Sequence, residues 1–140
     1  MEIKLASTEE ELHKIAPVMR QLRPEFKEAE LIAQIKLQTE KGFQIAYIES
    51  DARVLCVAGF VFGEKLAWGK CIYIDDLVTA EDHRSQGAGA AMIDWFKHYA
   101  REQGCSQIHL DSGIHRVDAH RFYLREGFKQ GSLHFALSDF

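Results

Sequence analysis

The amino-acid sequence predicts an α/β fold, more closely an α+β mixed sheet with helices on both faces. The observations that favour it are an early pair of helical segments, a central run of strand-like segments, and a helix that follows those strands. Strands joined by hairpins pair antiparallel, whereas strands joined through a helix pair parallel, so one sheet is expected to contain both kinds of pairing. The predicted order is β-α-α-β-β-β-α-β-α-β.

The first third of the chain predicts one strand and two helices. Residues 3–5 alternate apolar and polar side chains, as a short strand does. Ser7-Thr8 followed by Glu10-Glu11 is a capping-box signal, which starts a helix that Pro24 ends. A second helix is predicted over 27–41, because its apolar residues recur at helical spacing and a glycine follows it.

The centre of the chain predicts three consecutive strands. Strand-like segments cover residues 43–49, 53–62 and 67–78. Turn-forming residues separate them, at Ser50-Asp51 and at Gly63-Glu64-Lys65, and both turns are typical of β-hairpins.

The last third predicts two more helices and two more strands. Apolar residues at helical spacing extend a helix from Gly87 to about Gln103. A short strand is predicted over 107–111, then a helix capped by Asp118, and a last strand over 128–137.

Length and charge limit the class of protein. The 140 residues are 46% hydrophobic and carry a formal net charge of −4, and neither a linker nor a repeat divides them. One domain over residues 1–140 is therefore expected. The acidic balance argues against a nucleic-acid-binding protein and is compatible with a cationic substrate.

The remaining composition favours a reduced, cytoplasmic setting without a membrane partner. Cys56, Cys71 and Cys105 are odd in number and form no Cys-x-x-Cys pair, so neither a disulfide framework nor a zinc site is expected. The N-terminus lacks the profile of a signal peptide, and the longest apolar run, over 54–62, is too short to cross a membrane.

The most informative local feature is the turn Arg84-Ser85-Gln86-Gly87-Ala88-Gly89, which lies between a predicted strand and a predicted helix. The first helical N–H groups bind anions, glycine permits close approach to the backbone, and arginine adds a charged donor. Met92 excludes the dinucleotide fingerprint, and the chain has no Walker lysine. Taken by itself, the turn equally fits a helix entry that binds nothing.

Two motifs stand out in the chain. The first is Asp75-Asp76-Leu77-Val78-Thr79 followed by the turn that begins at Arg84. The second is Asp118-Ala119-His120-Arg121-Phe122-Tyr123-Leu124-Arg125-Glu126-Gly127-Phe128. Together, at this separation, they resemble the GNAT superfamily of acetyl-CoA-dependent N-acetyltransferases. The resemblance covers essentially the whole chain, including the predicted order of elements, and the pair is far more specific than either motif alone.

The resemblance implies a CoA site and a GNAT fold with a splayed central pair of parallel strands. It places the CoA pyrophosphate on Arg84, Ser85, Gln86, Gly87, Ala88 and Gly89, and the pantetheine arm along Leu77, Val78 and Thr79. The family often has asparagine seven residues before the Phe-Tyr tyrosine, and this chain has Arg116 there. Arg116, Ala119 and Phe122 are the remaining residues that the resemblance places in contact with the cofactor.

The resemblance also assigns catalytic residues. Tyr123 resembles the general acid that protonates the departing thiolate, the alternative being a packing tyrosine beside Phe122. Asp75 and Asp76 are candidates to bind or deprotonate the amine, and strand geometry points them to opposite faces, so one of them is expected to reach the substrate. The alternative for both is a solvated carboxylate or an ion pair.

Other polar residues have weaker interpretations. The spacing of His109, His115 and His120 matches no established metal site, and no metal is expected. Arg20 and Arg23, near the break between the first two helices, either contact the substrate or lie on a solvated helix face.

The function predicted from the sequence is acetyl transfer from acetyl-CoA, used as co-substrate, to a primary amine. The reaction is direct attack in a ternary complex, with Tyr123, Asp75 and Asp76 catalytic. A small cationic amine, such as a polyamine or an amino-acid-like amine, is favoured. The alternatives are a protein N-terminal or lysine acetyltransferase, a non-catalytic acyl-CoA-binding sensor, and a structural or interaction domain that has lost CoA binding. No nucleic acid or membrane partner is expected, and a homodimer is possible.

Overall fold

The structure is a computed structural model that describes residues 1–84 and 86–140. These residues form two compact units, Met1–His109 and Leu110–Phe140. The first unit contains the sheet and three helices, and the second contains the C-terminal helix.

Within the described residues, the sheet has five strands in the order β1-β2-β3-β4-β5. They are β1 (Glu2–Leu5), β2 (Gln44–Ser50), β3 (Arg53–Lys65), β4 (Gly69–Thr79) and β5 (Gln107–Leu110). The first four strands pair antiparallel in chain order. A helix connects β4 to its neighbour β5, which is the connection of parallel strands, so the predicted mixed sheet is confirmed.

The helices of the first unit are α1 (Glu9–Leu22), α2 (Glu28–Thr39) and α3 (Ala88–Glu102), with a short 3₁₀ turn over Glu81–His83. In the second unit lies α4 (Val117–Arg125). Among the described residues, the helices are too short or too polar for any of them to span a membrane.

The two faces of the sheet bury different sets of side chains. On one face, α1 and α2 pack through Ile15, Met19 and Ile32 onto a cluster that includes Tyr47 and Val57 of the sheet. Because successive strand residues point to opposite faces, Phe60 of β3 lies on the other face, against α3. Helices therefore cover both faces, as predicted.

Aromatic rings organise the packing of α3. Phe60 meets Phe96 edge to face at 5.1 Å between ring centroids, and Trp95 stacks on Tyr99 at 4.6 Å. Such pairs stabilise a core beyond the apolar area that they bury. Cys56 and Cys71 are also fully buried, so these two thiols belong to the core.

The capping box predicted from Thr8 and Glu11 is present and ties α1 to the sheet. The Thr8 hydroxyl accepts a hydrogen bond from the Glu11 N–H at 3.1 Å, and the Glu11 carboxylate accepts one from the Thr8 N–H at 3.2 Å. The Tyr47 hydroxyl donates to the same carboxylate at 2.6 Å. The hydrogen bonds to the Glu11 carboxylate, of which the one from Tyr47 has the largest effect, lower the pKa of Glu11 to about 2. This acid therefore stays ionised, and its role is structural.

Both hairpin turns differ from the sequence prediction. In the first, Ser50 pairs with Arg53, so Asp51 and Ala52 form the two-residue turn, with φ of 52° and 63°. Positive φ at both positions is the type I′ geometry that matches strand twist. The turn predicted at 63–65 is wrong, because those residues continue β3 and the chain reverses at 66–68.

The last predicted strand, over 128–137, is also wrong. Residues 129–140 form no regular secondary structure in the described part of the chain. Leu133, Phe135 and Leu137 alternate as a strand would, but they are 72%, 86% and 78% exposed. Alternation alone does not make a strand, because its backbone groups need a partner strand for hydrogen bonds.

The start of α4 is shifted from its prediction. Arg116 is the N-cap residue, and Asp118, predicted as the cap, lies in the first turn. Its carboxylate instead pairs with Arg121 at 3.5 Å, one helical turn ahead. An acid in the first turn still favours the helix, because it faces the positive end of the dipole.

Candidate functional site

A β-bulge in β4 brings the two candidate aspartates to the same place. Asp76 pairs with Gly59 of β3, and Ile74 pairs with Phe60, so Asp75 is an extra residue in the ladder. Bulges change the direction of side chains and are frequent beside active sites. The expectation that strand alternation separates the two aspartates onto opposite faces is therefore not met: both residues line one cavity.

That cavity has a volume of about 190 Å³ and lies between α1, α2 and the sheet, within the first unit. Its walls are apolar, with two amides and three charged residues. The lining residues are Met19, Arg23, Phe26, Leu31, Gln34, Ile35, Gln38, Phe43, Asp75 and Asp76. A mostly apolar cavity with a few convergent polar groups is the usual form of a small-molecule site.

Arg23 and Asp76 form an ion pair at the cavity wall. The guanidinium donates from Nε at 2.9 Å and from Nη2 at 2.8 Å to the same carboxylate oxygen of Asp76. Nη2 also donates to the backbone carbonyl of Asp75 at 3.3 Å. Arg23 caps the C-terminal end of α1, so this pair joins the helix end to the bulge.

Arg20, the other arginine singled out in the sequence, has a different contact. Its Nε donates to the backbone carbonyl of Phe26 at 2.9 Å, which holds the segment between α1 and α2. Phe26 lines the cavity. Arg20 therefore holds a residue of the cavity wall in place, whereas Arg23 itself lines the cavity.

The Asp75 carboxyl differs electrostatically from its neighbour. Its pKa is raised, first by burial of the carboxyl group and then by the negative charge of Asp76, with Arg23 opposing both. The Asp75 residue as a whole is exposed, so only part of its side chain, on the cavity side, is buried. Because the arginine donates to Asp76, Asp75 is the better placed of the two to exchange a proton.

Phe43, which lines the cavity, packs on Gly59 beside this acid pair. Phe43 is 4% exposed, and its ring lies directly over Gly59. A Cβ at position 59 would be 2.3 Å from Phe43 Cζ and 2.8 Å from Asp76 Oδ2, both closer than atoms can approach. Only glycine therefore lets the ring and the carboxylate meet over this strand.

Replacing Gly59 with alanine is expected to lower the free energy of unfolding by about 1–3 kcal/mol, because a buried ring must move. Urea unfolding measures the loss. Gly63→Ala in the same strand is the matched control, since its Cβ would lie 3.2 Å from Cys71 Sγ and 3.6 Å from Lys65 Cε. Equal losses in the two variants would contradict the close approach at Gly59.

The segment expected to contact pantetheine lies at the end of β4. Leu77, Val78 and Thr79 pair with β3 on one edge. On the other edge, the N–H of Ser106 donates to the Lys70 carbonyl at 2.9 Å, so β5 starts near the beginning of β4. From there β5, a strand of four residues, advances about 13 Å.

The predicted phosphate-binding turn leads into α3. Gly87 is the N-cap residue in the left-handed conformation, with φ of 81°, and a Cβ there would meet no atom within 4 Å. Among the described residues, no side chain caps this helix end, and its first turn contains no acid. Arg84 and Gln86 are exposed, Ala88 is buried, and Gly89 lies in the first turn. Ser85 lies outside the described residues.

The remaining predicted residues are in α4 of the second unit. Tyr123 is buried, and its ring packs edge to face on Phe122 at 5.4 Å and on Phe128 at 5.7 Å. Ala119 is half-buried, and Arg116 is exposed at the N-cap. The structure thus brings the aspartates and the end of β4 together in the first unit, and Tyr123 with Phe122 in the second.

The histidines have local partners. His109 stacks on Trp68 with 3.4 Å between ring centroids, and burial lowers the pKa of its imidazole. A ring nitrogen of His120 lies 2.7 Å from the Gly113 carbonyl oxygen. Over residues 1–84 and 86–140, no three metal-ligating side chains come together.

Sequence reasoning missed most of the cavity wall. Phe43 and the apolar residues of α1 and α2 look like ordinary core residues in the sequence. Gly59 had a usable signal, because a glycine inside a strand often marks close approach of another group. The bulge at Asp75 had none, since it depends on the register between β3 and β4.

Comparison with known proteins identifies the family. Residues 7–128 match the family model described as Acetyltransferase (GNAT) family. The chain is 33% identical, over 124 residues, to "Uncharacterized N-acetyltransferase YhdJ" of Bacillus subtilis (strain 168), and the match covers 86% of each protein.

Two further similarities differ in extent. An "Aminoalkylphosphonate N-acetyltransferase" of Salmonella typhimurium is 42% identical over 62 residues, which are 44% of this chain and 40% of that protein. The solved structure "Aminoglycoside N-Acetyltransferase AAC(6')-Iy in Complex with CoA" superimposes with a TM-score of 0.83 at 10% identity, covering 99% of this chain and 95% of that one. At that identity the likeness concerns the fold.

Proposed function

The chain belongs to the GNAT family and is an acetyltransferase, and from that premise we propose that it transfers an acetyl group from acetyl-CoA to a small primary amine. The amine nitrogen attacks the thioester carbonyl directly, in a ternary complex. The C–N bond forms, the C–S bond breaks, and the products are the amide and CoA thiol.

The observation that supports this proposal is that one strand, β4, joins an acidic cavity to the turn predicted to bind phosphate. Asp75 and Asp76 line the cavity, and five residues after Thr79 the turn at Arg84 leads into α3. An acceptor amine in the cavity and a thioester along the end of β4 meet near residues 76–78. Bringing two reactants together in this way supplies a large part of the rate enhancement.

The donor half of the site is the end of β4 and the start of α3. Enzymes of this family use acetyl-CoA. In our proposal the pantetheine amides pair with the free edge of Leu77, Val78 and Thr79, as an added strand pairs with a sheet edge. The pyrophosphate binds the N–H groups that follow Gly87, together with the Arg84 guanidinium, with Arg116, Ala119 and Phe122 as further contacts.

The acceptor half is the cavity, with Asp75 as the proton acceptor. An alkylammonium has a pKa of about 10.4, so the amine arrives charged and must lose a proton before it attacks. The Asp75 carboxylate attracts the ammonium and takes the proton, directly or through water. Asp76 holds Arg23, and this pair positions the bulge.

Tyr123 is the proposed acid. Its hydroxyl protonates or stabilises the thiolate as the C–S bond breaks, which removes the charge that disfavours the departing group. A backbone N–H near Val78 is the proposed donor to the oxyanion. The proposal rests on family membership for these two roles and on the cavity for the acceptor.

Relatives with named substrates support amine chemistry. Similar chains are named as N-acetyltransferases of aminoalkylphosphonates and of aminoglycosides. Their acceptors share an amine and little else, so the class of reaction transfers to this chain and the identity of the acceptor does not. The single-domain organisation, the homodimer and the cytoplasmic location stay predictions from the sequence.

The test is an acetylation assay with purified protein, acetyl-CoA and a panel of primary amines, read by thiol release and by the mass of the product. Turnover with a small amine and intersecting double-reciprocal lines are expected, whereas parallel lines would indicate an acetyl-enzyme. Faster reaction with peptides than with small amines would favour protein acetylation. CoA binding without thiol release would favour a sensor.

A further inference from the structure

We propose that the acceptor is a monoamine with a compact apolar body, such as an aralkyl or branched alkyl amine, rather than a polyamine or an amine bearing an anionic group. The inference rests on the proposed function, since it takes the cavity between α1, α2 and β4 as the acceptor site. It goes further because it narrows the class of acceptor from the cavity wall itself.

The charges in the wall allow one cation. Three charged residues line the cavity, and Arg23 places two donors on Asp76. This pairing neutralises Asp76 and uses the Nε and Nη2 donors of the guanidinium. In the described lining, the Asp75 carboxylate is left as the acid without an arginine donating to it, and one carboxylate matches one ammonium group.

The same pairing disfavours an anionic acceptor. A phosphonate or carboxylate on the substrate needs a guanidinium or ammonium that is available to it. Arg23 is already bound to Asp76 and to the Asp75 carbonyl. An anionic group in the cavity would compete with Asp76 for the guanidinium charge and would face two carboxylates.

The rest of the wall is apolar and well packed. Its apolar members come from α1, the segment after it, α2 and the residue before β2: Met19, Phe26, Leu31, Ile35 and Phe43. Four of them are buried to 5% exposure or less, and Phe26 is half-buried. Side chains held so firmly are preorganised for a carbon skeleton and offer no partner to hydroxyl groups.

The polar part of the wall adds no second anionic site. The Gln34 side-chain amide donates to the Gln38 side-chain carbonyl at 2.9 Å, one helical turn away. A polyamine would place its second ammonium beside these neutral groups and the apolar wall. Without a carboxylate there, that charge would lose hydration and gain no ion pair.

The volume sets the size of the apolar body. The cavity has about 190 Å³, and an engineered apolar cavity of roughly 150 Å³ in another protein accommodates benzene. A phenyl or branched alkyl group therefore fills the space, whereas an aminosugar ring system would extend beyond it.

Calorimetric titration tests this, with phenethylamine, isoamylamine, spermidine and aminoethylphosphonate added to the protein with and without saturating CoA. The two apolar monoamines are expected to bind at least about 10-fold more tightly than the other two, given what one methylene is worth in an apolar pocket. Tighter binding of spermidine or aminoethylphosphonate, or no binding of either apolar monoamine, overturns the inference. Because binding is read without turnover, failure of the acetyl-transfer proposal shows separately, as binding without thiol release.

Two variants sharpen the result. Phe26→Ala removes a half-buried wall residue and is expected to weaken phenethylamine binding about 10-fold or more, a larger loss than the same variant causes for ethylamine. Gln34→Glu adds a carboxylate of the same shape and is expected to improve spermidine binding. Gln103→Glu, on the exposed end of α3, is the matched control. Equal gains for spermidine in the two glutamate variants contradict the assignment of the cavity.

Discussion

Replacing Tyr123 with phenylalanine is expected to lower kcat roughly 10²–10⁴-fold, the range that a positioned general acid contributes. Acetyl-CoA should bind with an unchanged dissociation constant, because the hydroxyl acts on the thiolate that forms during the reaction. Steady-state kinetics with an accepted amine, together with calorimetry for acetyl-CoA, separates the two quantities.

The packing of the Tyr123 ring is kept in this substitution. Its ring contacts Phe122 and Phe128 edge to face, and phenylalanine keeps both contacts. The free energy of unfolding should therefore fall by no more than the loss of one hydroxyl costs, about 1–3 kcal/mol. Tyr99→Phe on α3 is the matched control, since it also removes one hydroxyl and keeps the stack on Trp95. Unchanged turnover in Tyr123→Phe would remove the proposed acid role.

Replacing Asp75 with asparagine is expected to lower kcat/KM by about 10²-fold or more, because the amide can neither take a proton nor attract the ammonium. The shape of the cavity is retained, since the two side chains are nearly isosteric. Asp94→Asn on α3, an exposed acid that pairs with Lys97, is the matched control for loss of one negative charge. A similar loss of rate in both variants would indicate a general charge effect.

The pH profile gives a second measure of Asp75. Burial and the charge of Asp76 raise the pKa of its carboxyl, and a base works only in its ionised form. The rate should therefore fall as pH falls through that raised pKa, at higher pH than the usual aspartate value of about 3.9. Asp75→Asn should lack this limb.

Stability distinguishes the two aspartates. A raised carboxyl pKa means that folding disfavours the charged form, so the penalty is present above that pKa and disappears as pH falls below the unfolded value. Asp75→Asn removes the penalty and should not lower Tm at neutral pH. Asp76→Asn breaks the ion pair with Arg23 and should lower the free energy of unfolding by up to about 1 kcal/mol, a partly exposed pair being weakened by solvent.

Local sequence signals predicted most elements of the first unit. The Thr8–Glu11 capping box, the helix entry at Gly87 and the two central hairpins depend on residues within a few positions of each other. The turn at 66–68 and the missing strand at 128–137 were mispredicted because they depend on partner strands and not on neighbouring residues. Where a strand ends depends on how far its partner continues, and the composition of one segment does not contain that information.

The residues of the candidate site likewise fall into two groups, those in local sequence motifs and those that only the tertiary packing brings together. The predicted phosphate-binding turn and the tyrosine motif are each one continuous stretch of sequence, so their residues could be named from the chain alone. The cavity brings Met19, Arg23 and Phe43 to Asp75 and Asp76 from segments separated by more than thirty positions. Nothing in the local sequence distinguishes Arg23, which pairs with Asp76, from Arg20, which binds the loop carbonyl of Phe26.

By itself, the sequence determined the family, the order of elements through β5 and α4, and the residues of the proposed donor half of the site, because backbone turns and helix starts are encoded by neighbouring residues. Only the tertiary structure showed the cavity that is the proposed acceptor half. The β3–β4 register places the bulge at Asp75, and Gly59 lets the Phe43 ring approach the strand. The end of α1 brings Arg23 onto Asp76. Each depends on the packing of segments distant in the chain, which leaves the Asp75 carboxylate, among the described lining residues, without an arginine donating to it.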